Sequence, residues 1–311
     1  MTGALRPAMP AQSWSAWQPL AGQPPLVAAV LAEILDGGQT FRWTRHADET
    51  WQGIWADNVV RLSLQPDGSL LWSAPAKLAS RTKQALPAYL GGGRDFRALA
   101  DTLPWRSDPH LAQCLAAFPG LIIPRQPFGE TLLCFLCSAT KQIVQIKQMV
   151  TLLAERHGKV FAQTGEAEFH RLPTWAELAE IPEPALRACL LGFRARYIKE
   201  TALYLAARPS WLEETEHLPY PAAKARLLEL PGVGEKVADC VLLFGAGKLE
   251  AFPVDTWILK AMVRHYRLDG WSPAQVAHFG RTHFGPLAGL AQQYLFAWER
   301  KFGRREKPPM P

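Results

Sequence analysis

Between Trp51 and Trp72 apolar and polar residues alternate in short runs. Trp51-Gln-Gly-Ile-Trp-Ala-Asp-Asn-Val-Val-Arg-Leu-Ser-Leu64 has the two-residue period of strands interrupted by polar turn residues. Pro66-Asp-Gly-Ser69 reads as a turn and Leu70-Leu-Trp72 as the strand resumed. The pattern predicts an antiparallel sheet over roughly residues 14–75, covered by helices over Leu26–Leu35 and Leu78–Leu90, with Gly91-Gly-Gly93 as the break. From about Pro109 the period changes to that of helices. Leu132, Leu133, Phe135 and Leu136, then Ile143, Ile146, Met149, Val150 and Leu153, recur at helical spacing. Further helices are predicted at Thr174–Glu180, Glu183–Leu190, Arg194–Ala206, Ala222–Glu229, Glu235–Phe244, Asp255–Tyr266, Pro273–Phe284 and Pro286–Phe302, with Pro and Gly at most junctions. The fold class is therefore α+β, with a sheet domain over 1–108 and a helical domain over 109–311.

Composition narrows this picture. The 311 residues are 48% hydrophobic, which excludes disorder for most of the chain. No apolar run reaches the roughly 18 residues needed to span a bilayer, so no membrane partner is expected. Met1–Leu20 carries Arg6 as its only charge and no compact apolar stretch, which predicts no secretory signal. Five cysteines, an odd number, suit a reducing compartment better than a disulfide framework. A net charge of +6 hints at an anionic partner without naming it. The basic run Arg300-Lys-Phe-Gly-Arg-Arg-Glu-Lys307 reads as a solvated tail. Neither repeats nor a phosphate-cradling Gly-Lys-Ser/Thr loop occur. The eight histidines lack HxH or HExxH spacing, and Cys134-x2-Cys137 has no second pair, so no metal site is predicted.

Leu230-Pro-Gly-Val-Gly-Glu-Lys-Val-Ala-Asp-Cys240 carries the most chemistry. A helix ends at Glu229, a two-glycine turn follows, and another helix starts at once. The turn through Gly232, Val233 and Gly234 presents backbone N–H groups at a positive helix end, which suits a phosphate. Lys236 lies on the first turn of that helix, where a cation is unfavourable. It is either a phosphate-binding surface lysine or a nucleophilic amine, and a nucleophile must first shed its proton, which apolar surroundings favour. Nineteen positions on, Phe252-Pro-Val-Asp255 precedes a helix. Asp255 suits an N-cap, and a carboxylate held at a helix start stays ionised and can stabilise a developing positive charge.

This region resembles the helix-hairpin-helix DNA glycosylases. Gly38-Gln-Thr-Phe-Arg-Trp43, Phe135-Leu-Cys-Ser138, Gly192-Phe-Arg-Ala-Arg-Tyr197 and Ala291-Gln-Gln-Tyr-Leu-Phe296 extend the resemblance, in order, to the 8-oxoguanine DNA glycosylase branch over roughly Ser13–Lys301. The resemblance implies a TBP-like antiparallel sheet domain packed on an all-α helix-hairpin-helix core. It implies a bifunctional glycosylase and AP lyase acting on duplex DNA that contains oxidised guanine. Lys236 would attack the sugar and form a Schiff base, and Asp255 would stabilise the cationic sugar. Gly38 would offer its carbonyl to the ring N–H that oxidised guanine has and guanine lacks. Gln292 would bond the Watson–Crick edge, with Phe296 and Cys240 on the two faces of the flipped base. Phe193 would fill the gap in the duplex and Arg194 would meet the orphaned cytosine. Lys141 and Trp257 would join the hairpin residues on the DNA. Packing alone also accounts for Phe296 and Cys240, and a helix-start aromatic beside a solvated arginine accounts for Phe193 and Arg194.

The resemblance further implies a monomer without a cofactor, save for a monovalent cation on hairpin carbonyls around Leu230–Val233. An iron–sulfur cluster is not expected, since no cysteine follows Cys240. It also implies location with the DNA, in the cytoplasm at the nucleoid of a bacterium or in the nucleus of a eukaryote. The chain departs from the family pattern in one region. Ala139-Thr140-Lys141-Gln142 stands where eukaryotic members have asparagines, Gln145 stands for an arginine, and Trp257 for a histidine. Weaker preference for cytosine opposite the lesion is expected. A monofunctional glycosylase for alkylated bases and a non-catalytic DNA-binding module are the rival readings; the first needs no amine at Lys236, and the joint presence of Lys236, Asp255 and a Gln292/Phe296 pocket argues against the second.

Overall fold

The computed structural model describes residues 13–91 and 93–303. Gly92 and the part of the basic tail from Arg304 to Lys307 lie outside the described residues. The sheet has five strands: β1 (Gln18–Pro19), β2 (Trp43–Arg45), β3 (Trp51–Trp55), β4 (Asn58–Leu64) and β5 (Leu70–Ser73). β2 to β5 form an antiparallel meander, and β1 pairs on the free edge of β5. Its register sets Trp51 opposite Leu62, Gly53 opposite Val60, and Leu62 opposite Trp72. Alternation along β3 therefore turns Trp51, Gly53 and Trp55 inward. Gly53 is glycine for packing: a Cβ there would fall 2.4 Å from the indole of Trp43 on the neighbouring strand. That indole is fully buried and donates its N–H to the Tyr89 hydroxyl at 2.9 Å.

Helices α1 (Ala28–Asp36) and α2 (Ala79–Tyr89) cover this inner face, and α3 (Phe96–Asp101) follows. The predicted sheet and first two helices are thus present within a few residues of their expected limits. The other face of the sheet is covered by a hairpin that the sequence pattern did not reveal, β6 (Val160–Thr164) and β7 (Ala167–His170). Its Ala162 and Phe169 pack with Val59, and Phe169 meets Trp14 edge to face at 6.0 Å.

The helical part contains α4 (Pro109–Ala117), α5 (Phe128–Leu136), α6 (Ile143–His157), α7 (Trp175–Glu180), α8 (Glu183–Leu186), α9 (Arg194–Ala206), α10 (Trp211–His217), α11 (Tyr220–Leu228), α12 (Glu235–Cys240), α13 (Thr256–Tyr266), α14 (Pro273–Phe284) and α15 (Ala288–Phe302). α3 and α10 also lacked a clear sequence signal. The helix expected over Glu183–Leu190 ends early, because the chain widens through Arg187–Leu191 and Leu190 takes a left-handed φ of 63°. The helix expected over Glu235–Phe244 is regular to Cys240 and continues as a wide turn over Val241–Gly245. Gly245 permits that turn to sit against α5, where a Cβ would lie 3.0 Å from Phe128. One contiguous apolar core runs from Leu26 under the sheet to Trp298 on α15, so the sheet and the helices share an interior. None of the described helices is long and apolar enough to cross a membrane.

Trp43→Phe removes the indole ring that fills the space above Gly53 and strips the Tyr89 hydroxyl of its donor. The expected loss is about 1–3 kcal/mol of unfolding free energy, read as a lower urea midpoint with an unchanged m-value.

Candidate active site

Six residues proposed from the sequence meet in one pocket. Gly38, Lys236, Cys240, Asp255, Gln292 and Phe296 line it together with Phe135, Phe244, Pro253 and Gln293. They come from the loop after α1, from α5, from α12 and its wide turn, from the segment before α13, and from α15. The cavity encloses about 40 Å³. By the roughly 10–15 Å³ that one water requires, that admits a few waters and no purine ring. The free pocket is narrow.

Lys236 projects from the first turn of α12 toward the C-terminal end of α5. Its Nζ donates to Ser138 Oγ at 3.1 Å and lies 5.1 Å from the centre of the Phe135 ring. Ser138 Oγ in turn donates to the Phe135 carbonyl at 2.7 Å, so the hydroxyl's lone pairs face the amine. Asp255 is the N-cap of α13, where Oδ1 accepts from Trp257 N–H at 3.0 Å and Ile258 N–H at 2.9 Å. The expectation of a carboxylate held ionised by its helix start needs correction. Burial is the larger effect and pushes the Asp255 carboxyl above the usual carboxylate range, while the Ile258 amide, Lys236, the Trp257 amide and Arg300 oppose it. Cys240 lies one helical turn after Lys236; burial pushes its thiol up to about 12, against the pull of the nearby Lys236 amine. A neutral thiol faces the pocket.

Gly38 has φ 98°, a backbone conformation that side-chain-bearing residues avoid. A Cβ there would fall 2.9 Å from Ile143 Cδ1 and 3.8 Å from Phe296 Cζ. Gln292 is buried, with Nε2 donating to the Pro253 carbonyl at 3.1 Å and Oε1 accepting from Gln293 at 2.5 Å. Phe296 is half-buried at the rim.

The remaining proposed residues lie outside the pocket. The hairpin between α11 and α12 places Gly232 at φ 78° against the Tyr197 ring, where a Cβ would lie 2.7 Å away. Gly234 is exposed with open space around its Cα, and Val233 is buried beneath. Phe193 stands 50% exposed at the start of α9, edge-on to Tyr197. Arg194 is not the solvated arginine of the alternative reading. It is buried, bonds the Leu191 carbonyl at 3.2 Å, the Ala139 carbonyl, and Thr140 Oγ1 at 3.0 Å, and its guanidinium lies 4.3 Å from the Phe193 ring centre. Thr140, to which it is tied, holds a left-handed φ of 54°. Gln145 bonds the Gln142 N–H at 3.2 Å, which commits it to the start of α6. Lys141 is exposed, and Trp257 is half-buried with Lys260 Nζ 5.2 Å from its ring centre.

Sequence reasoning missed Ser138 as the partner of Lys236, and it missed Arg300. Arg300 was read as the first residue of a solvated tail. It bonds Glu33 at 2.8 Å and the Gly37 carbonyl at 2.6 Å. Only its place on the α15 face that carries Phe296, four residues earlier, could have signalled this. The five cysteines are all free and buried. Among the described residues no group of three or more His, Cys, Asp or Glu could hold a metal ion.

Residues 25–132 match the family model for the 8-oxoguanine DNA glycosylase N-terminal domain, and residues 134–283 match that for the HhH-GPD superfamily of base excision DNA repair proteins. The chain is 29% identical over 276 residues to the N-glycosylase/DNA lyase OGG1 of Arabidopsis thaliana, covering 84% of this chain and 75% of that protein. It is 32% identical over 260 residues to the N-glycosylase/DNA lyase of Saccharomyces cerevisiae, covering 77% and 69%. In structure it is similar to the Clostridium acetobutylicum 8-oxoguanine glycosylase/lyase in complex with double-stranded DNA containing cytosine opposite 8-oxoguanine. That likeness has a TM-score of 0.82 at 31% identity and covers 93% of this chain and 99% of the other.

The raised carboxyl of Asp255 sets a pH signature. A carboxyl whose folded-state pKa is raised contributes its stability fully below the unfolded value and loses it as pH rises through the folded value. Asn caps a helix as well as Asp does. Asp255→Asn should therefore match the wild type in acid and melt at higher temperature at neutral pH. Thermal melts from about pH 4 to about pH 8 check this; a gap that is constant or widens toward acid contradicts it.

Proposed function

Because this chain belongs to the 8-oxoguanine DNA glycosylase family, we propose that it excises 8-oxoguanine from duplex DNA and then cleaves the strand at the abasic site. The observation that carries this reading is the convergence of an amine, a carboxylate and a set of aromatic and amide walls in one pocket. The sheet domain, 1–108, supplies Gly38, and the helical domain, 109–311, supplies the rest. The pocket is complete within one chain, which supports action as a monomer.

The Lys236 amine, freed of its proton, forms a C–N bond to the anomeric carbon as the bond to the base breaks. The base leaves with that electron pair and takes up a proton. Opening of the sugar ring with loss of an amine proton yields the Schiff base. Removal of a proton from the adjacent sugar carbon then expels the 3′ phosphate by β-elimination. Asp255 stands by as the carboxylate opposite the cationic sugar, and two amides together with Lys236 and Arg300 oppose the upward pull of burial on its carboxyl. A monofunctional glycosylase using water would leave the placement of Lys236 against Ser138 Oγ unexplained.

Recognition uses what the pocket walls offer. The Gly38 carbonyl accepts the ring N–H of the oxidised base, Phe296 and the Cys240 thiol take its two faces, and Gln292 exchanges its Pro253 partner for the Watson–Crick edge. The narrow pocket must widen for this, and flipping the nucleotide costs a few kcal/mol, which the exposed Phe193 ring offsets by filling the gap in the stack. Gly232, Val233 and Gly234 present backbone N–H groups to phosphate, and exposed Gly234 lets the strand come close. Lys141 and Trp257 would add contacts to the DNA. A monovalent cation on the hairpin is compatible with carbonyl donors such as Leu230 and Pro231, each of which already accepts one protein hydrogen bond and keeps a second lone pair. The substrate locates the enzyme with the DNA, at the nucleoid or in the nucleus.

Borohydride should trap wild-type protein on an 8-oxoguanine duplex. Lys236→Gln should lose the adduct, and Asp255→Asn should lower excision by about 10²–10³-fold with binding retained. A trapped adduct in Lys236→Gln, or full activity in Asp255→Asn, removes that residue from the mechanism.

Opposite-base reading should be weak, since Gln145 caps α6 and Arg194 is engaged with Ala139 and Thr140. Single-turnover excision opposite each of the four bases should differ by less than about tenfold, or 1.4 kcal/mol. A cytosine preference of hundreds would contradict this.

A further inference from the structure

The loop that presents Gly38 is tied down from two helices remote in sequence. From α15, Arg300 Nη1 donates both to Glu33 Oε1 at 2.8 Å and to the Gly37 carbonyl at 2.6 Å. The same guanidinium lies 5.4 Å from the centre of the Phe296 ring. From α6, Lys147 Nζ bonds Asp36 Oδ1 at 2.7 Å. Glu33 is largely buried on α1, and its backbone carbonyl accepts the Gly37 N–H at 3.0 Å. One guanidinium thus joins the end of α1, the peptide immediately before Gly38, and the ring proposed to stack on the base.

We propose that Arg300, braced by Glu33, is a positioning residue for lesion discrimination: it fixes the Gly38 carbonyl at the edge of the base slot relative to the Phe296 ring at its face. This rests on the glycosylase reading above. The Gly37 carbonyl and the Gly38 nitrogen belong to one planar peptide. Holding that carbonyl therefore fixes the plane from which Gly38 starts, in a two-glycine loop that is otherwise free to turn. Discrimination needs that rigidity. Guanine lacks the ring proton and would set a bare ring nitrogen against the Gly38 carbonyl, acceptor against acceptor. A rigid carbonyl keeps that repulsion; a loose one swings away and lets guanine in. A proton-bearing lesion loses its bond in the same movement.

Arg300 also contributes positive charge near Asp255, so the test separates the brace from the charge. Arg300→Met removes both, and Glu33→Gln loosens the brace while leaving the cation. Three quantities are read in each variant: single-turnover excision of 8-oxoguanine, cleavage of a preformed abasic site that has no base to read, and the ratio of affinities for lesion and undamaged duplexes. In Arg300→Met, excision should fall about 10–100-fold, as a misplacement of about 1 Å does, while abasic cleavage stays within about threefold. The affinity ratio should shrink, and Glu33→Gln should move all three readouts in the same direction by a smaller factor. Equal loss of excision and abasic cleavage, an unchanged affinity ratio, or an effect confined to Arg300→Met would overturn the brace. Should Arg300→Met fail to fold, Glu33→Gln decides alone. A wild type inactive on both substrates would instead refute the glycosylase reading, and the brace with it.

Discussion

An amine and a carboxylate share an enclosed pocket only if neither can move to relieve the arrangement. Here each is held by a helix end. Asp255 caps α13 through two amides, and Lys236 leaves the first turn of α12 to rest on a hydroxyl at the end of α5. The carboxyl is pushed above its usual range by burial, which makes the site a local burden on the fold. That burden is tolerated because the helix ends are packed to their limits. Gly245 lets the turn after α12 lie against Phe128, and at Gly289 on α15 a Cβ would lie 2.5 Å from Leu243. Backbone contact of this kind leaves the two groups no room to drift apart.

The strand period and the Leu-Pro-Gly-Val-Gly hairpin were legible because each is a local rule: alternation of two for the first, glycine conformation next to a helix start for the second. Six pocket residues followed from motifs that extend over most of the chain. What could not be read depended on distant partners. The hairpin β6–β7 buries only Ala162, Thr164 and Phe169 to any depth, so its period is faint without the sheet face that it covers. Arg194 looks like any surface arginine until Ala139 and Thr140 arrive from fifty residues away. Arg300 resembles a tail residue until Gly37 is placed beside it.

The narrow pocket also has an energetic reading. Gln292 already gives one N–H to Pro253 and one lone pair to Gln293, so on the proposed reading an incoming base would compete with those bonds. A base with a matching edge restores them, whereas one without leaves a buried amide unpaired, a loss of about 1–3 kcal/mol. Selectivity thus arises partly from the satisfaction of the empty site. On the proposed reading the same logic runs in reverse at the opposite strand. Side chains engaged with one another, such as Arg194 with Thr140, would have less left over for a partner base.

The shared core has a consequence for how the enzyme comes into being. Gly38 follows the first helix of the sheet domain, while Gln292, Phe296 and Arg300 sit on α15, more than 250 residues further along. Non-local contacts of this span form late. A chain growing from its N-terminus at about 5–20 residues per second already carries Lys236 and Asp255 before α15 exists to complete the pocket. During synthesis Lys236 and Asp255 are present while Gln292 and Phe296 are still missing from the pocket. Docking of α15 onto α1 is therefore the assembly step that completes the pocket lining.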